Sequence, residues 1–250
     1  MNKVRNYFSS ITIILLLLIF WEISAVIVDK SFILPSPIQI VFRLWELKEV
    51  LFLRHLPSTL LIIVLGLSIS IVIGVGLAVW MSVIKSVEKA FYPILIASQT
   101  IPIIALSPIF VLWFGYSIWS KVVVTVLITF FPITVSTFDG LRSIKNELKE
   151  LMLTMGASQK EIFLKLSIPS ALPFFYSGLK VAVTLSVIGA AIGEWLGAQA
   201  GLGYFSRRMM TQFDGAGVFA PIVLLSVVGI ILFLLVTIVE KISFKWRKIE

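Results

Sequence analysis

The sequence has almost none of the residues from which catalytic centres are usually built. Its 250 residues include no cysteine and one histidine, His55. Disulfides, thiol chemistry and cysteine-bound metals are therefore excluded, and one imidazole cannot supply a His-based metal site or catalytic triad within one chain. The phosphate-binding patterns GxxxxGKS and GxxxxGKT are absent, so the chain does not bind ATP by that route. We expect no catalytic residue, metal or cofactor on this chain.

Charge is scarce as well. Charged residues make up 14% of the sequence and hydrophobic residues 59%, whereas soluble domains carry about 25% charged residues. The hydrophobic residues form long uninterrupted stretches, which predicts an all-α integral membrane protein surrounded by a lipid bilayer. The net charge of +8 could favour nucleic acid. However, the basic residues lie between apolar stretches rather than in one patch, so membrane topology explains them better and we expect no nucleic acid partner.

Six apolar stretches are long enough to cross a membrane, which takes about 20 helical residues. They lie near residues 11–28, 57–81, 91–113, 121–138, 172–198 and 218–239. The first follows Lys3 and Arg5, as the core of a signal peptide would. Its apolar core is long and no clear A-x-A cleavage site follows it, so we interpret it as a retained span. We treat residues 1–250 as one transmembrane domain.

The basic residues predict the orientation of the spans. Six spans place both termini on one side of the membrane, and this side carries 13 of the 21 Lys and Arg residues: Lys3, Arg5, Lys85, Lys89, Arg142, Lys145, Lys149, Lys160, Lys165, Lys241, Lys245, Arg247 and Lys248. The positive-inside rule makes it the cytoplasmic side of the cell membrane. The external segment 32–56 is too charged to span, and we predict a helix at the outer interface, anchored by Phe42 and Trp45.

Three ionisable residues fall within the predicted spans. Glu22 and Lys180 lie close enough to a membrane surface for their charges to reach it. Glu194 lies among small residues in GAAIGEWLGAQAGLG, which allow close helix contact. Its position is compatible with burial against a partner, with a translocation path or with the outer interface, and we place it among the predicted path residues.

The third span is interrupted by polar residues and by three prolines. Each proline frees a backbone carbonyl that needs a partner in protein or water. Ser98, Gln99 and Thr100 lie between the first two of these prolines, and broken polar helices at membrane depth often line a cavity. A plain kink is the alternative. We predict that these three residues line the translocation path. The three prolines are Pro93, Pro102 and Pro108.

Small residues recur every four positions in the fifth span. Gly178, Ala182, Ser186 and Ala190 fall on one helical face. Helices in lipid associate through close packing, which small side chains permit. Packing within the chain is one explanation of this face. A second face of small residues lies beside it, so one face can pack within the chain while the other packs against a second subunit. We assign the face with these four residues to the second subunit.

The segment 141–170 differs from the apolar sequence around it. It is typical of two short amphipathic helices joined at Gly156, and it lies on the predicted cytoplasmic side. Leu148, Leu151, Met152 and Met155 share one face of the first helix. Such a hairpin either packs on the inner surface of its own chain or offers an apolar face to a partner.

The spacing within this segment resembles the EAA loop of ABC importer permeases. That loop reads EAA, three residues, G, nine residues, then I-x-L-P. Glu150, Gly156 and Pro169 match it, Leu151 and Met152 replace the two alanines, and Leu166 and Ile168 are conservative exchanges. The stretches ILPSP (33–37), SQTIPIIALSPIFVLWFG (98–115) and GEWLGAQAGLGYF (193–205) are similar to the nitrate, taurine, alkanesulfonate and thiamine-precursor branch of that family. The similarity covers nearly the whole chain.

The resemblance implies a mechanism. A permease of this family has six spans and usually forms a homodimer. Two cytoplasmic ATPase subunits hold ATP and magnesium, and an external binding protein delivers the substrate. Gly156 would allow the sharp turn between the two helices. The residues of this segment that would couple the permease to a groove on the ATPase are Glu150, Met152, Met155, Gly156 and Pro169.

The substrate is less well determined than the mechanism. SQTIP carries a neutral Gln99, and no cluster of basic residues faces a path, which favours a neutral heterocycle over an anion. The similarity is greatest to permeases for hydroxymethylpyrimidine-type thiamine precursors, while sulfonate, taurine, nitrate and riboflavin remain alternatives. A secondary transporter or channel that needs no ATP is the rival class. It would be expected to show internal repeats or membrane carboxylates arranged for ion coupling, and the sequence shows neither clearly.

Overall fold

The computed structural model describes residues 2–244, and it describes side chains from residue 11 to residue 244. The side chains of Lys3, Arg5, Lys245, Arg247 and Lys248, which support the predicted orientation, lie outside that part. The described chain is helical, with the following elements: α1 (Asn2–Val28), α2 (Pro37–Glu46), α3 (Lys48–Val83), α4 (Lys85–Ser98), α5 (Ile103–Phe114), α6 (Ile118–Arg142), α7 (Asn146–Thr154), α8 (Gln159–Gly197), α9 (Leu202–Thr211) and α10 (Gly215–Ser243).

Five of these helices are long and apolar enough to cross a membrane: α1 over Ile11–Val28, α3, α6, α8 and α10. They contain the predicted spans, apart from small differences at the ends. The predicted span 91–113 is different, because it is divided between α4 and α5, which meet at a bend of 101°. The interruption predicted in the third span is therefore a sharp bend between two helices. Pro102 marks the break, since it immediately precedes α5 and has no backbone N–H to continue the helix.

The directions of the neighbouring helices show where this bent pair runs. Gly66 lies against Thr125 and Gly74 against Thr134, so residue numbers rise together and α3 is parallel to α6. A parallel pair needs a connection that returns along the bundle. At its start, Glu88 of α4 forms an ion pair with Arg142, at the end of α6. Near its finish, Val111 of α5 lies against Gly197, at the far end of α8. The α4–α5 pair thus connects the two ends of the bundle.

Helix α6 lies at the centre of the bundle, between α3 and α8. Hydroxyl groups line it, and they bond to carbonyls one turn back or across to α3, as when Ser70 and Thr129 share a hydrogen bond of 2.6 Å. Helix α8 runs antiparallel to it, because Gly193 lies against Lys121 whereas Gly178 lies against Ser136. The glycines permit this approach, since a Cβ on Gly178 would lie 2.5 Å from a backbone oxygen of α6.

This packing corrects the prediction of a dimer face on the fifth span. Ala182, Ser186 and Ala190 are 0% exposed within the single chain, and Gly178 is covered by α6. A second subunit cannot reach these four residues in this conformation. The physical reason is that small residues serve close packing with any helix, and here the neighbouring helices belong to the same chain.

The external segment is also organised differently from the prediction of one helix over 32–56. Helix α2 ends at Glu46, and Lys48 already begins the spanning helix α3. Ser36 caps α2, and its hydroxyl accepts from Gln39 N at 3.2 Å. Phe42 and Trp45 are exposed, as an interfacial helix requires.

An ion pair connects α2 to the start of α10. Arg43 donates to Asp214 at 2.6 Å, and hydrogen bonds to Glu46 and Asp214 raise the pKa of this guanidinium. Asp214 in turn accepts from Gly217 N at 2.8 Å and so caps α10. These contacts hold the interfacial helix against the bundle.

Candidate functional site

The predicted coupling hairpin is formed by α7 and the first turns of α8. Helix α7 ends in a Schellman motif, in which Ala157 N donates to Met152 O at 3.0 Å and Gly156 N to Leu153 O at 2.9 Å. Gly156 has φ +84°, and a Cβ placed on it would meet nothing within 4 Å. The need for glycine is therefore a matter of backbone conformation rather than of space.

The second helix of the hairpin begins with a capping box that the sequence analysis missed. Ser158 N donates to Glu161 Oε2 at 3.0 Å, and Glu161 N donates back to Ser158 Oγ at 3.3 Å. The signal was present as Ser-x-x-Glu, which begins two residues after the turn glycine. The backbone groups on both sides of the turn are thus satisfied by bonds within the hairpin.

The apolar face of α7 points away from the rest of the chain. Leu151 is 55% exposed and Met155 is 78% exposed, with Leu148 beside them and Met152 half-buried. Glu150 is exposed as well. The described structure therefore does not use this face for packing within the chain. An exposed apolar strip beside a carboxylate is the arrangement expected of a docking surface.

Pro169 lies where the hairpin helix turns into the membrane span. Residues Phe163–Ser167 form a π-turn, and Ile168 N donates to Phe163 O. Proline at 169 has no N–H, so the normal α-helical bond to Lys165 O is missing and the wider turn accommodates it. The same arrangement occurs in α3, where the π-turn Leu51–His55 precedes Pro57. Pro169 therefore shapes the join between hairpin and span.

Glu194 forms part of a buried polar network at the other end of α8. Glu194 is 0% exposed. Its carboxylate accepts hydrogen bonds from Thr59 Oγ1 and from Gly203 N, both at 2.7 Å. Thr59 also accepts from Leu202 N at 2.9 Å, and His55 Nδ1 accepts from Gly201 N at 3.0 Å. We call these six residues the outer cap.

The outer cap supplies acceptors for three successive backbone N–H groups at the start of α9. Such groups have no partner within their own helix, and a carboxylate there also complements the helix dipole. Gly201 has φ +120°, and a Cβ on it would overlap the Glu194 carboxylate. The prediction that Glu194 lines the path is therefore wrong for this conformation, because its oxygens are enclosed and used for capping.

Ser98, Gln99 and Thr100 lie at the break between α4 and α5. Ser98 Oγ donates to Leu95 O and Thr100 Oγ1 to Ala97 O, both at 2.7 Å, so these hydroxyls bond to backbone carbonyls of the last helical turn. Gln99 and Thr100 are exposed. The structure groups these three residues at one polar bend but does not join them to Glu194. Their place along a path stays a prediction.

The two other charges within spans have partners. Lys180 forms an ion pair of 2.5 Å with Glu240 of α10, and Glu22 Oε2 accepts from Ile38 N of α2 at 3.3 Å. Lys121, near the start of α6, is buried and donates to Tyr116 O and Ser117 O at 2.8 Å. These groups connect parts of the fold.

An outer pocket of about 400 Å³ lies beside the outer cap, and the sequence analysis did not identify it. Aromatic rings and guanidinium groups line it, among them Tyr116, Trp195, Tyr204, Arg207 and Arg208. Arg207 donates to Trp195 O and is thereby held in place. Aromatic faces stack on planar rings, and guanidinium groups donate to ring nitrogens and carbonyls. The pocket therefore has the chemistry to hold a small polar heterocycle.

Comparisons with known proteins agree with this architecture. The family described as "Binding-protein-dependent transport system inner membrane component" matches residues 70–242. The formylaminopyrimidine transport permease protein ThiX of Halalkalibacterium halodurans is 60% identical over 94% of both chains. The riboflavin transport system permease protein RibX of Chloroflexus aurantiacus is 33% identical over 94% of this chain and 88% of its own. The aliphatic sulfonates permease SsuC of Bacillus subtilis, itself a tentative assignment, is 27% identical over 88% and 80%.

Proposed function

Because this chain belongs to the family of inner membrane components of binding-protein-dependent transport systems, we propose that it imports a small pyrimidine, of the formylaminopyrimidine type, by the ABC mechanism. The observation that supports this choice of substrate is the 60% identity to a formylaminopyrimidine permease over 94% of both chains. Relatives named for riboflavin and sulfonate are 33% and 27% identical. The chain itself is a membrane subunit and not an enzyme.

Energy for transport comes, in this proposal, from ATP and magnesium on partner ATPase subunits at the cytoplasmic face. The exposed strip on α7 supports this arrangement, since it offers Leu151 and Met155 to a partner beside the carboxylate of Glu150. Gly156 fixes the angle of the hairpin. Movement of the partner is transmitted through α8, because the hairpin and the span form one helix from Gln159 to Gly197. Both chain termini are then cytoplasmic.

An external binding protein delivers the pyrimidine to the opposite end of the bundle. The outer pocket supports this step, because Trp195, Tyr116 and Tyr204 can stack on a planar ring and Arg208 can donate to it. The outer cap holds this pocket in shape, since Trp195 follows Glu194 and Tyr204 follows Gly203. The path continues past the break at Ser98–Thr100. Two copies of the chain form the channel, through a face other than the buried stripe on α8.

Reconstitution tests this proposal directly. Proteoliposomes containing the permease, its cognate ATPase and its binding protein should take up labelled formylaminopyrimidine when ATP is supplied on the ATPase side. Riboflavin and taurine, at equal concentration, serve as controls for the substrate. Uptake that needs no ATPase would identify a secondary transporter or channel instead. Uptake of riboflavin or taurine in place of the pyrimidine would overturn the substrate while leaving the mechanism intact. The mass of the purified permease reports whether two copies associate.

A further inference from the structure

A large cavity lies on the cytoplasmic side, between the α3–α4 corner, the end of α6 and the hairpin. Its volume is about 930 Å³. Four cationic side chains line it, Lys85, Arg142, Lys149 and Lys160, together with one acidic side chain, Glu88. We call this cavity the basic groove. It is separate from the apolar strip of α7, which is exposed.

The positive charge of the basic groove is mostly uncompensated. Arg142 forms an ion pair with Glu88, the single acid that lines the cavity. Among the residues that the structure describes, the side chains of Lys85, Lys149 and Lys160 take part in no ion pair or hydrogen bond. Three lysine charges from two separate parts of the chain thus share one cavity. Holding like charges together without a counter-ion is unfavourable, and an anionic ligand would relieve that repulsion.

The groove lies at the end of a candidate membrane span, where lipid headgroups are expected. Helix α3 ends there at Val83, and Lys85 begins α4. Trp80 is 49% exposed one turn earlier, as residues of the aromatic belt are, and Val83 and Ile84 are exposed at the groove's border. A ligand in this position has apolar side chains next to its charged end. Asn146 and Gln159 add amide donors to the lysines.

From the charge, the position and the apolar border together, we propose that the basic groove binds the phosphate of an anionic phospholipid of the cytoplasmic leaflet. Lipid headgroups and free phosphate share this chemistry, and the apolar border favours the lipid. Basic pockets on the cytoplasmic side of membrane proteins recognise such headgroups. Lys85 belongs to the bundle, whereas Lys149 and Lys160 belong to the two arms of the hairpin. The lipid phosphate therefore bridges the hairpin to the membrane domain.

This bridge fills a gap in the described contacts. Within residues 11–244, no side-chain hydrogen bond or ion pair that the structure shows joins α7 to the bundle, because the hairpin's polar bonds are local, as between Glu161 and Lys165 at 3.1 Å. A lipid that contacts both arms restrains the hairpin in the position from which it meets its partner. The lipid composition of the inner leaflet then regulates how firmly the transporter is coupled.

Native mass spectrometry of the purified permease tests this site. The permease is titrated with short-chain phosphatidylglycerol, with phosphatidylcholine of the same chain length, and with inorganic phosphate. Wild type should bind phosphatidylglycerol at least about 10-fold more tightly than phosphatidylcholine, since each lysine near a membrane surface contributes about 1 kcal/mol. The variant Lys85→Gln/Lys149→Gln/Lys160→Gln should lose this preference. The control Lys89→Gln/Lys145→Gln/Lys241→Gln removes three exposed cytoplasmic lysines outside the groove and should keep it.

Backbone hydrogen exchange supplies a second measurement that does not depend on lipid counting. Relative to phosphatidylcholine nanodiscs, phosphatidylglycerol nanodiscs should slow the exchange of backbone amides across 146–165 in wild type and in the control variant, but not in the groove variant. Equal binding of the two lipids by wild type, or equal loss in the control variant, would overturn the proposal. Displacement of the lipid by millimolar phosphate would identify a free phosphate site instead. Loss of the bound lipid when the ATPase is added would identify a protein-docking surface, which also overturns it.

Discussion

Near the two ends of helix α8, the unpaired backbone N–H groups at the start of a helix find their acceptors in different ways. At the outer end, Thr59 and His55 from the distant helix α3 join Glu194 of α8 to satisfy the start of α9, and all three are buried. At the hairpin end, Ser158 and Glu161 cap their own helix within four residues, with Ser158 exposed and Glu161 half-buried. The first arrangement ties three helices together, whereas the second involves only residues of the hairpin. The difference separates a part that is held by the tertiary fold from a part that is capped locally and that we propose meets a partner.

The largest effect is expected at the outer cap. Gly201→Ala places a Cβ into the Glu194 carboxylate at a φ of +120°, so the cap cannot close. Backbone N–H groups buried without acceptors cost about 1–3 kcal/mol each. We expect a clearly lower melting temperature in detergent and loss of uptake. The control is Gly76→Ala in α3, where a Cβ meets nothing within 4 Å. Equal melting temperatures for the two variants would contradict the role of the cap.

A glycine substitution in the hairpin should have the opposite profile, with stability kept and coupling lost. Gly156→Leu forces a branched side chain to adopt φ +84°, which costs about 1–2 kcal/mol and shifts the hairpin. We expect the melting temperature to change little and ATPase co-purification to fall sharply. Gly156→Asn is the matched control, because asparagine tolerates a left-handed backbone. If asparagine is as damaging as leucine, the backbone angle is not the reason that glycine is needed.

Substitution of Glu150 should have a smaller effect than substitution of Gly156, because the change removes one contact and leaves the shape of the hairpin intact. Glu150→Ala removes a carboxylate that can pair with a basic group of the partner. We expect weaker ATPase binding, by about 10-fold, with insertion and melting unchanged. Glu147→Ala is the control, since Glu147 is also exposed and lies one turn earlier on α7. Transport-linked ATP hydrolysis measures both, and equal losses would exclude a specific role for Glu150.

The break between α4 and α5 lies between these two regions and should show the smallest change. The chain has no cysteine, so single Cys replacements at Ser98, Gln99 or Thr100 can be labelled individually. We expect each to react with small water-soluble thiol reagents, at a rate that changes a few-fold with substrate or nucleotide. Ser70→Cys is the control, because Ser70 is 0% exposed within the bundle. Inertness of all three in every state would exclude these residues from the path.

The sequence predicted the local features well and the partners of individual residues poorly. Long apolar runs located α1 and α10, and the EAA-type spacing located the turn at Gly156, because these signals lie in contiguous residues. The break after Ser98 was foreseen as a proline-rich, polar interruption but not as a bend of 101° between two helices. The capping box at Ser158 was readable and was overlooked. The outer pocket, formed by segments before α6, in α8 and in α9, had no contiguous signal.

By itself, the sequence determined that this chain is helical and membrane-embedded, with its amphipathic hairpin on the side richer in Lys and Arg. Composition and periodicity are sufficient for this, since the bilayer admits few structures. Only the tertiary structure decided what Glu194 and Ala190 do. Glu194 meets Thr59 across 135 positions of sequence, and Ala190 is buried by helices of its own chain rather than by a second subunit. Glycine and alanine allow any helix to approach, so only the folded arrangement selects the neighbour.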